Sequence, residues 1–135
     1  MNRTIERILK ESKTIAVVGL SSDPSRASFG VARYLQRSGY RIVPVNPKET
    51  EVLGEQAYPS LAAIPQEINI DIVNVFRRPE QTPAVAQEAI IRGAKALWLQ
   101  SGIANAEALK IAQSAGLDYI EDECIMIRHG QLPTA

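Results

Sequence analysis

Short apolar runs rich in β-branched residues recur along the chain, and each is followed by a small polar loop and a segment with helical spacing. The clearest runs span residues 14–19, 40–47, 70–76 and 94–100, and "DYIED" predicts a fifth. Nearly continuous apolar runs are typical of strands that are buried on both faces of a parallel sheet. The chain therefore favours a fold in which parallel strands alternate with covering helices.

Helical spacing of apolar residues predicts the covering elements. A short helix is expected over residues 4–12, a second from Ser28 to a stop at Gly39, a third that stops at Gly93, and a fourth between the cap Asn105 and Gly116. The turn-rich residues 51–65 leave room for only a stub of helix near 60–64, and "CIMIRH" predicts a terminal strand or short hairpin. The fold class is α/β, a Rossmann-like doubly wound parallel sheet in three layers with right-handed crossovers.

Length and charge narrow the possible functions. The 135 residues suit a single domain over 1–135, and equal numbers of basic and acidic residues, 15 each, argue against nucleic acid as a partner. The first residues are too charged for a signal peptide, and no apolar run approaches the length of a membrane span. With one cysteine no internal disulfide can form, so a cytoplasmic location is expected.

The residues that follow the first strand resemble a phosphate-binding loop. In doubly wound sheets, ligands bind beyond the carboxyl ends of the strands at the switch point. Gly19 permits a tight turn and a close approach of backbone to ligand, Arg26 adds a positive charge, and the amides that begin the next helix favour an anion. Hydroxyls come from Ser21, Ser22 and Ser28. A capped loop without a ligand is the alternative, because such motifs also match by chance.

The next strand ends add further candidates. An NAD-binding fold has an acidic residue after the second strand, whereas this chain has Asn46, Pro47 and Lys48. Lys48 would attract a phosphorylated ribose, although a solvated turn residue is the alternative. The third strand is followed by Phe76, Arg77 and Arg78, and the fourth by Gln100, Ser101 and Gly102. Phe76 could stack on a base or complete the core, and arginine suits phosphate because its guanidinium donates two hydrogen bonds.

Four basic residues thus follow carboxyl strand ends in a chain of zero net charge: Arg26, Lys48, Arg77 and Arg78. This placement predicts a ligand with several separated phosphates and an adenine-like base. A nucleotide with an additional ribose phosphate fits the pattern better than NAD does.

Six segments, in this order, resemble the CoA-binding domain family: "VVGLSSDPSRASFGVARYL", "GYRIVPVNPK", "VLGEQAYPSL", "VNVFRRP", "ALWLQSGI" and "EDECIMI". The chain is similar to the small stand-alone bacterial and archaeal CoA-binding proteins and to the N-terminal domain of the succinyl-CoA synthetase alpha subunit. The resemblance implies that Ser21 and Ser22, with the backbone through Asp23 and Pro24, cradle the phosphates of coenzyme A. It also implies a contact from Lys48 to the ligand. It puts Phe76 and Arg77 beside the adenosine and makes Gln100, Ser101 and Gly102 the opposite wall.

The C-terminal segment departs from that resemblance. The family pattern leads us to expect a basic residue at 123 and an acidic one at 128, whereas the chain has Glu123 and Arg128. Cys124 is expected to be a packed residue, with a mixed disulfide to the thiol of coenzyme A as the alternative. The single histidine, His129, is expected on the surface.

No base and nucleophile pair is visible at the strand ends, and Cys124 and His129 lack zinc-type partners. The synthetase histidine that carries the phosphoryl group lies in a second domain without a counterpart in these residues. The sequence therefore predicts a protein that binds coenzyme A or a small acyl-CoA, without catalysis of its own and without a membrane partner. Two alternatives stay open: an NADP-dependent oxidoreductase, and a subunit of an acyl-CoA synthetase-type enzyme whose partner supplies catalysis.

Overall fold

The computed structural model describes residues 2–133. Five helices and seven strands follow one another in the order α1 (Arg3–Glu11), β1 (Thr14–Val18), α2 (Ala27–Arg37), β2 (Arg41–Val45), β3 (Glu51–Val52), β4 (Glu55–Gln56), β5 (Ile72–Val75), α3 (Thr82–Arg92), β6 (Ala96–Leu99), α4 (Ala106–Ser114), β7 (Asp118–Ile120) and α5 (Ile125–Gly130). Short 3₁₀ turns cover Leu61–Ala63 and Pro79–Gln81.

The main sheet has five parallel strands in the order β2-β1-β5-β6-β7. The chain leaves β1 toward one edge of the sheet, to β2, and then crosses back to β5 on the other side of β1. The switch point therefore lies between β1 and β5, where the loops that follow the two strands diverge. The predicted doubly wound parallel fold is confirmed.

Alternate residues of each strand enter two separate cores, one on each face of the sheet. On one face, residues such as Val17, Ile72 and Trp98 pack with α1, α2 and α5. On the other, residues such as Val73 and Leu97 pack with α3, α4 and the segment around Leu61–Ala63. Burial on both faces explains why the strands appear as continuous apolar runs in the sequence.

Local sequence signals account for most helix ends. The Asn105 side chain accepts a hydrogen bond from the Ala108 amide at 2.9 Å and so caps α4. Gly93 ends α3 with φ of +80°, the left-handed conformation that glycine adopts without a Cβ penalty. Both predicted helix ends are confirmed.

A small hairpin was not predicted. β3 and β4 pair antiparallel around Leu53 and Gly54, which both have positive φ, as a two-residue hairpin turn requires. The Gln36 side chain donates a hydrogen bond to the Leu53 carbonyl at 3.0 Å. Strands of two residues are too short to give a periodic signal, and leucine is an unusual residue at such a turn.

The prediction of a terminal strand or hairpin was wrong, because residues 125–130 form the helix α5. Its Ile125 is fully buried against the face of the sheet that also holds α1 and α2. The Ile125 amide donates to the Gln100 side chain at 3.0 Å. Six residues with three apolar positions fit a strand as well as a helix, so tertiary contacts decide the outcome.

His129 on α5 is half-buried, which corrects the expectation of a surface residue. Its Nδ1 lies 2.9 Å from the Tyr34 hydroxyl, and its ring meets Tyr34 and Tyr40 edge-on. Burial lowers the pKa of His129 from its ordinary value. The histidine thus joins α5 to α2 and to the residue that precedes β2.

No helix within residues 2–133 combines the length and the apolar character needed to cross a membrane.

Candidate functional site

A groove of about 440 Å³ opens at the carboxyl ends of β1, β2 and β5, at the switch point of the sheet. Its size lies in the range of small-molecule sites, roughly 300–1,000 Å³. It is lined by Gly19, Ser21, Arg26, Ala27, Ser28, Asn46, Pro47, Lys48, Glu49, Phe76 and Arg77. Nine of these were predicted from the sequence, and Ala27 and Glu49 were missed.

The loop after β1 is held by its own serines. The buried Ser28 hydroxyl accepts a hydrogen bond from the Ser21 amide at 3.1 Å, and the Ser21 hydroxyl accepts from the Asp23 amide at 3.0 Å. Asp23 accepts from the amide and hydroxyl of Ser25, and these hydrogen bonds lower its pKa. The serine side chains therefore shape the loop.

The amino end of α2 forms one wall of the groove. The cap residue Arg26 makes no side-chain hydrogen bond to the first amides of this helix. A helix N-terminus carries a partial positive charge and amides that no carbonyl within the helix accepts. Together with the guanidinium of Arg26, it makes this wall suitable for an anion.

Gly19 is required for a reason that the sequence did not show. Its φ is +90°, and a Cβ at this position would lie 2.3 Å from the Phe76 carbonyl oxygen. The backbone that follows β5 therefore approaches Gly19 closely. Gly19 lets the loops after β1 and β5 lie side by side, which forms the floor of the groove.

The segment after β2 is joined to the loop after β1. The Asn46 amide group donates to the Leu20 carbonyl at 3.1 Å, and its oxygen accepts from the Lys48 amide at 3.0 Å. These hydrogen bonds fix the backbone from which the exposed Lys48 side chain reaches the groove. Asn46 is therefore a positioning residue for Lys48.

Glu49 is the charged residue of the groove lining that sequence reasoning missed. Its carboxylate accepts a hydrogen bond from the Ser22 amide at 2.8 Å, so it spans from the segment after β2 to the loop after β1. Directly after the second strand, where an NAD-binding fold has an acidic residue, the chain has Asn46, Pro47 and Lys48. An acidic residue does line the groove, but it lies four positions beyond the end of β2.

Phe76 and Arg77 follow β5 and are both half-buried, and both line the groove. Arg78 is exposed and precedes the 3₁₀ turn Pro79–Gln81, outside the groove lining. Arg26, Lys48 and Arg77 thus reach one groove from three strand ends. Among residues 2–133, none of these three forms an ion pair, because the four salt bridges of this part of the chain involve other basic residues.

The remaining candidates lie outside the groove lining. Ser22, Asp23 and Pro24 are exposed in the loop after β1, and the Ser22 amide donates a hydrogen bond to the groove residue Glu49. Gln100 is buried, and its side-chain oxygen accepts hydrogen bonds from Asn74 and from the Ile125 amide. The Gly102 amide donates to Asp122 at 2.6 Å, so the loop 100–102 is tied to the loop after β7.

Glu123 and Arg128 form an ion pair with each other. Two hydrogen bonds of 2.7 and 2.8 Å join the guanidinium to the carboxylate. Both charges are reversed relative to the family pattern, and the two residues that carry them bind each other. One ion pair therefore explains why both positions differ from the pattern. Cys124 directly precedes α5, packs half-buried against the core that also holds α1 and α2, and does not line the groove.

Comparisons with known proteins agree on one family. Residues 13–130 match the family model described as "CoA binding domain". The chain is 47% identical over 125 residues to the uncharacterized protein YneT of Bacillus subtilis. This match covers 93% of this chain and 91% of that protein. It is similar in structure to a hypothetical protein from Pyrococcus horikoshii, with a TM-score of 0.91 and 42% identity over 95% of this chain and 89% of that one.

A larger enzyme subunit also shares this region. The chain is 30% identical over 122 residues to the alpha subunit of an ADP-forming acetate–CoA ligase II from Pyrococcus furiosus. The match covers 84% of this chain but only 27% of that subunit. The chain therefore corresponds to about a quarter of the ligase subunit.

Proposed function

Because the chain belongs to the CoA-binding domain family, we propose that it binds coenzyme A or a small acyl-CoA in the groove at the carboxyl ends of β1, β2 and β5. The observation that carries the proposal is the convergence of Arg26, Lys48 and Arg77 on one groove in a chain whose net charge is zero. Charged donors without an anionic partner are suited to phosphate oxygens.

In the proposed complex, the phosphates and the adenosine of coenzyme A occupy the groove. The pyrophosphate lies against the loop after β1 and the amino end of α2, near Arg26. Lys48 meets the ribose phosphate, and Phe76 with Arg77 contacts the adenosine. The pantetheine arm leaves along the carboxyl edge of the sheet.

We propose binding without catalysis by this chain. The described residues that line the groove include no histidine or cysteine. The hydroxyls of Ser21 and Ser28 accept hydrogen bonds from backbone amides, and within residues 2–133 neither donates a hydrogen bond to a carboxylate or an imidazole. A subunit role, in which a partner supplies catalysis, is the second candidate, and the similarity to the acetate–CoA ligase subunit favours it.

A melting series with coenzyme A, dephospho-CoA, NAD and NADP tests the ligand. A ligand at a hundred times its Kd stabilises a protein by about 2.7 kcal/mol, which for a domain of this size raises Tm by about ten degrees. We expect the largest rise with coenzyme A. A larger rise with NADP or NAD would overturn the proposal and favour an oxidoreductase. With NAD, Glu49 in the groove would accept hydrogen bonds from the ribose hydroxyls.

A further inference from the structure

Among residues 2–133, Glu49 is the one carboxylate that lines the groove in which we propose that the phosphates of the ligand bind. Glu49 accepts a hydrogen bond of 2.8 Å from the Ser22 amide, one of the backbone amides of the loop after β1. Arg26, Lys48 and Arg77 line the same groove. The carboxylate thus shares one groove with the three basic residues that we propose to bind phosphate.

A carboxylate and a phosphate make the same kind of contact with a backbone amide. Both accept short hydrogen bonds from N–H donors, and both are favoured beside a helix N-terminus and arginine. One amide proton forms one strong hydrogen bond, so a phosphate oxygen cannot bind the Ser22 amide while Glu49 does. The remaining carboxylate charge would also repel phosphate across the groove.

We propose that Glu49 is an internal competitor of the ligand, which occupies the phosphate position until the ligand displaces it. This inference rests on the proposed function, since it assumes that the loop after β1 receives a phosphate. The displacement is local, because Asn46 holds the neighbouring backbone through Leu20 independently of Glu49. The apparent Kd is then the intrinsic Kd divided by the fraction of molecules in which the carboxylate leaves the Ser22 amide free.

The opposite role for Glu49 predicts the opposite result. Carboxylates that follow the second strand of dinucleotide-binding folds accept hydrogen bonds from ribose hydroxyls and so strengthen binding. If Glu49 had this role, its removal would weaken the binding of nucleotides. The sign of the change in affinity therefore separates the two roles.

The test measures Kd by calorimetry for the parent protein, Glu49→Ala, Glu49→Gln and the matched control Glu51→Gln. Glu51→Gln removes one negative charge, as both Glu49 substitutions do. Glu51 is exposed on β3 and lies outside the groove lining, so its substitution leaves the groove intact. Two probes are used, inorganic pyrophosphate and coenzyme A. We expect both to bind Glu49→Ala about tenfold more tightly than the parent, because this substitution removes a like charge near the surface and also frees the Ser22 amide.

The two substitutions separate charge from occupancy. Glutamine can still accept from the Ser22 amide, so Glu49→Gln should gain affinity through loss of charge alone, and less than Glu49→Ala. Weaker binding of both probes to Glu49→Ala, an unchanged Kd, or an equal gain in Glu51→Gln would overturn the inference. Absence of pyrophosphate binding to every variant would overturn it too, because there would be no anion position to occupy.

The two proposals fail in different ways. If pyrophosphate binds Glu49→Ala more tightly while coenzyme A binds none of the proteins, the competitor role stands and the proposed ligand is wrong. If coenzyme A binds all four proteins equally, the proposed function stands and the competitor role is wrong. Urea denaturation of each variant establishes beforehand that it is folded.

Discussion

Gly19 and Gly93 both have positive φ, but their surroundings differ. A Cβ on Gly19 would lie 2.3 Å from the Phe76 carbonyl oxygen, whereas a Cβ on Gly93 would meet no atom within 4 Å. The two positions therefore separate the cost of backbone conformation from the cost of crowding. Of these two glycines, only Gly19 combines the cost of a left-handed backbone with the cost of crowding, and it lies at the floor of the candidate site.

We predict that Gly19→Ala destabilises the fold more than Gly93→Ala does. The left-handed conformation costs an L-residue about 1–2 kcal/mol, and this cost applies to both. Crowding against backbone adds roughly 1–3 kcal/mol at Gly19 alone. Urea denaturation measures the free energy of unfolding. Equal losses in the two variants would mean that the loop after β5 moves aside without cost.

Lys48 lines the groove, and we propose that it contacts the ribose phosphate that distinguishes coenzyme A from dephospho-CoA. We predict that the parent prefers coenzyme A by about tenfold or more, as expected for a charge-assisted contact. In Lys48→Ala this preference should shrink. Calorimetry with both ligands measures it, and Lys110→Ala, an exposed lysine outside the groove, is the control. An intact preference in Lys48→Ala would make Lys48 a solvated turn residue.

Among the elements, α5 depends most on tertiary contacts. It has six residues, too few for a stable isolated helix. Ile125 is buried, the Gln100 side chain binds the Ile125 amide, and His129 packs between Tyr34 and Tyr40. Its attachment to the sheet therefore depends on a few specific groups.

We predict that protonation of His129 weakens this attachment. Because burial lowers the pKa of His129 in the folded protein, the unfolded chain binds the proton more readily. Its contribution to stability is therefore present above the ordinary pKa of 6.5 and is lost as pH falls below it. Urea denaturation between about pH 5 and 6.5 measures the slope. A slope that persists unchanged in His129→Asn would contradict the assignment to this residue.

For the molecule as a whole, the sheet could be predicted because strands buried on both faces leave continuous apolar runs. Three strand ends, and with them nine groove residues, followed from the rule that ligands bind at carboxyl ends, whereas the candidates after β6 lie outside the groove lining. The sequence could not show that Gln100 is used inside the molecule, because its partners, Asn74 and Ile125, are distant in sequence. Glu49 was missed for the same reason, since its amide partner is 27 residues away.

A calorimetric titration of three proteins tests whether coenzyme A binds at this groove. The parent should bind coenzyme A at a single site. Arg77→Glu, which reverses a charge in the groove, should lose at least about tenfold in affinity. Arg37→Glu makes the same charge change outside the groove lining, on α2, and should leave Kd unchanged. No binding to the parent, or equal binding to the parent and Arg77→Glu, would contradict the proposal that coenzyme A binds at this groove.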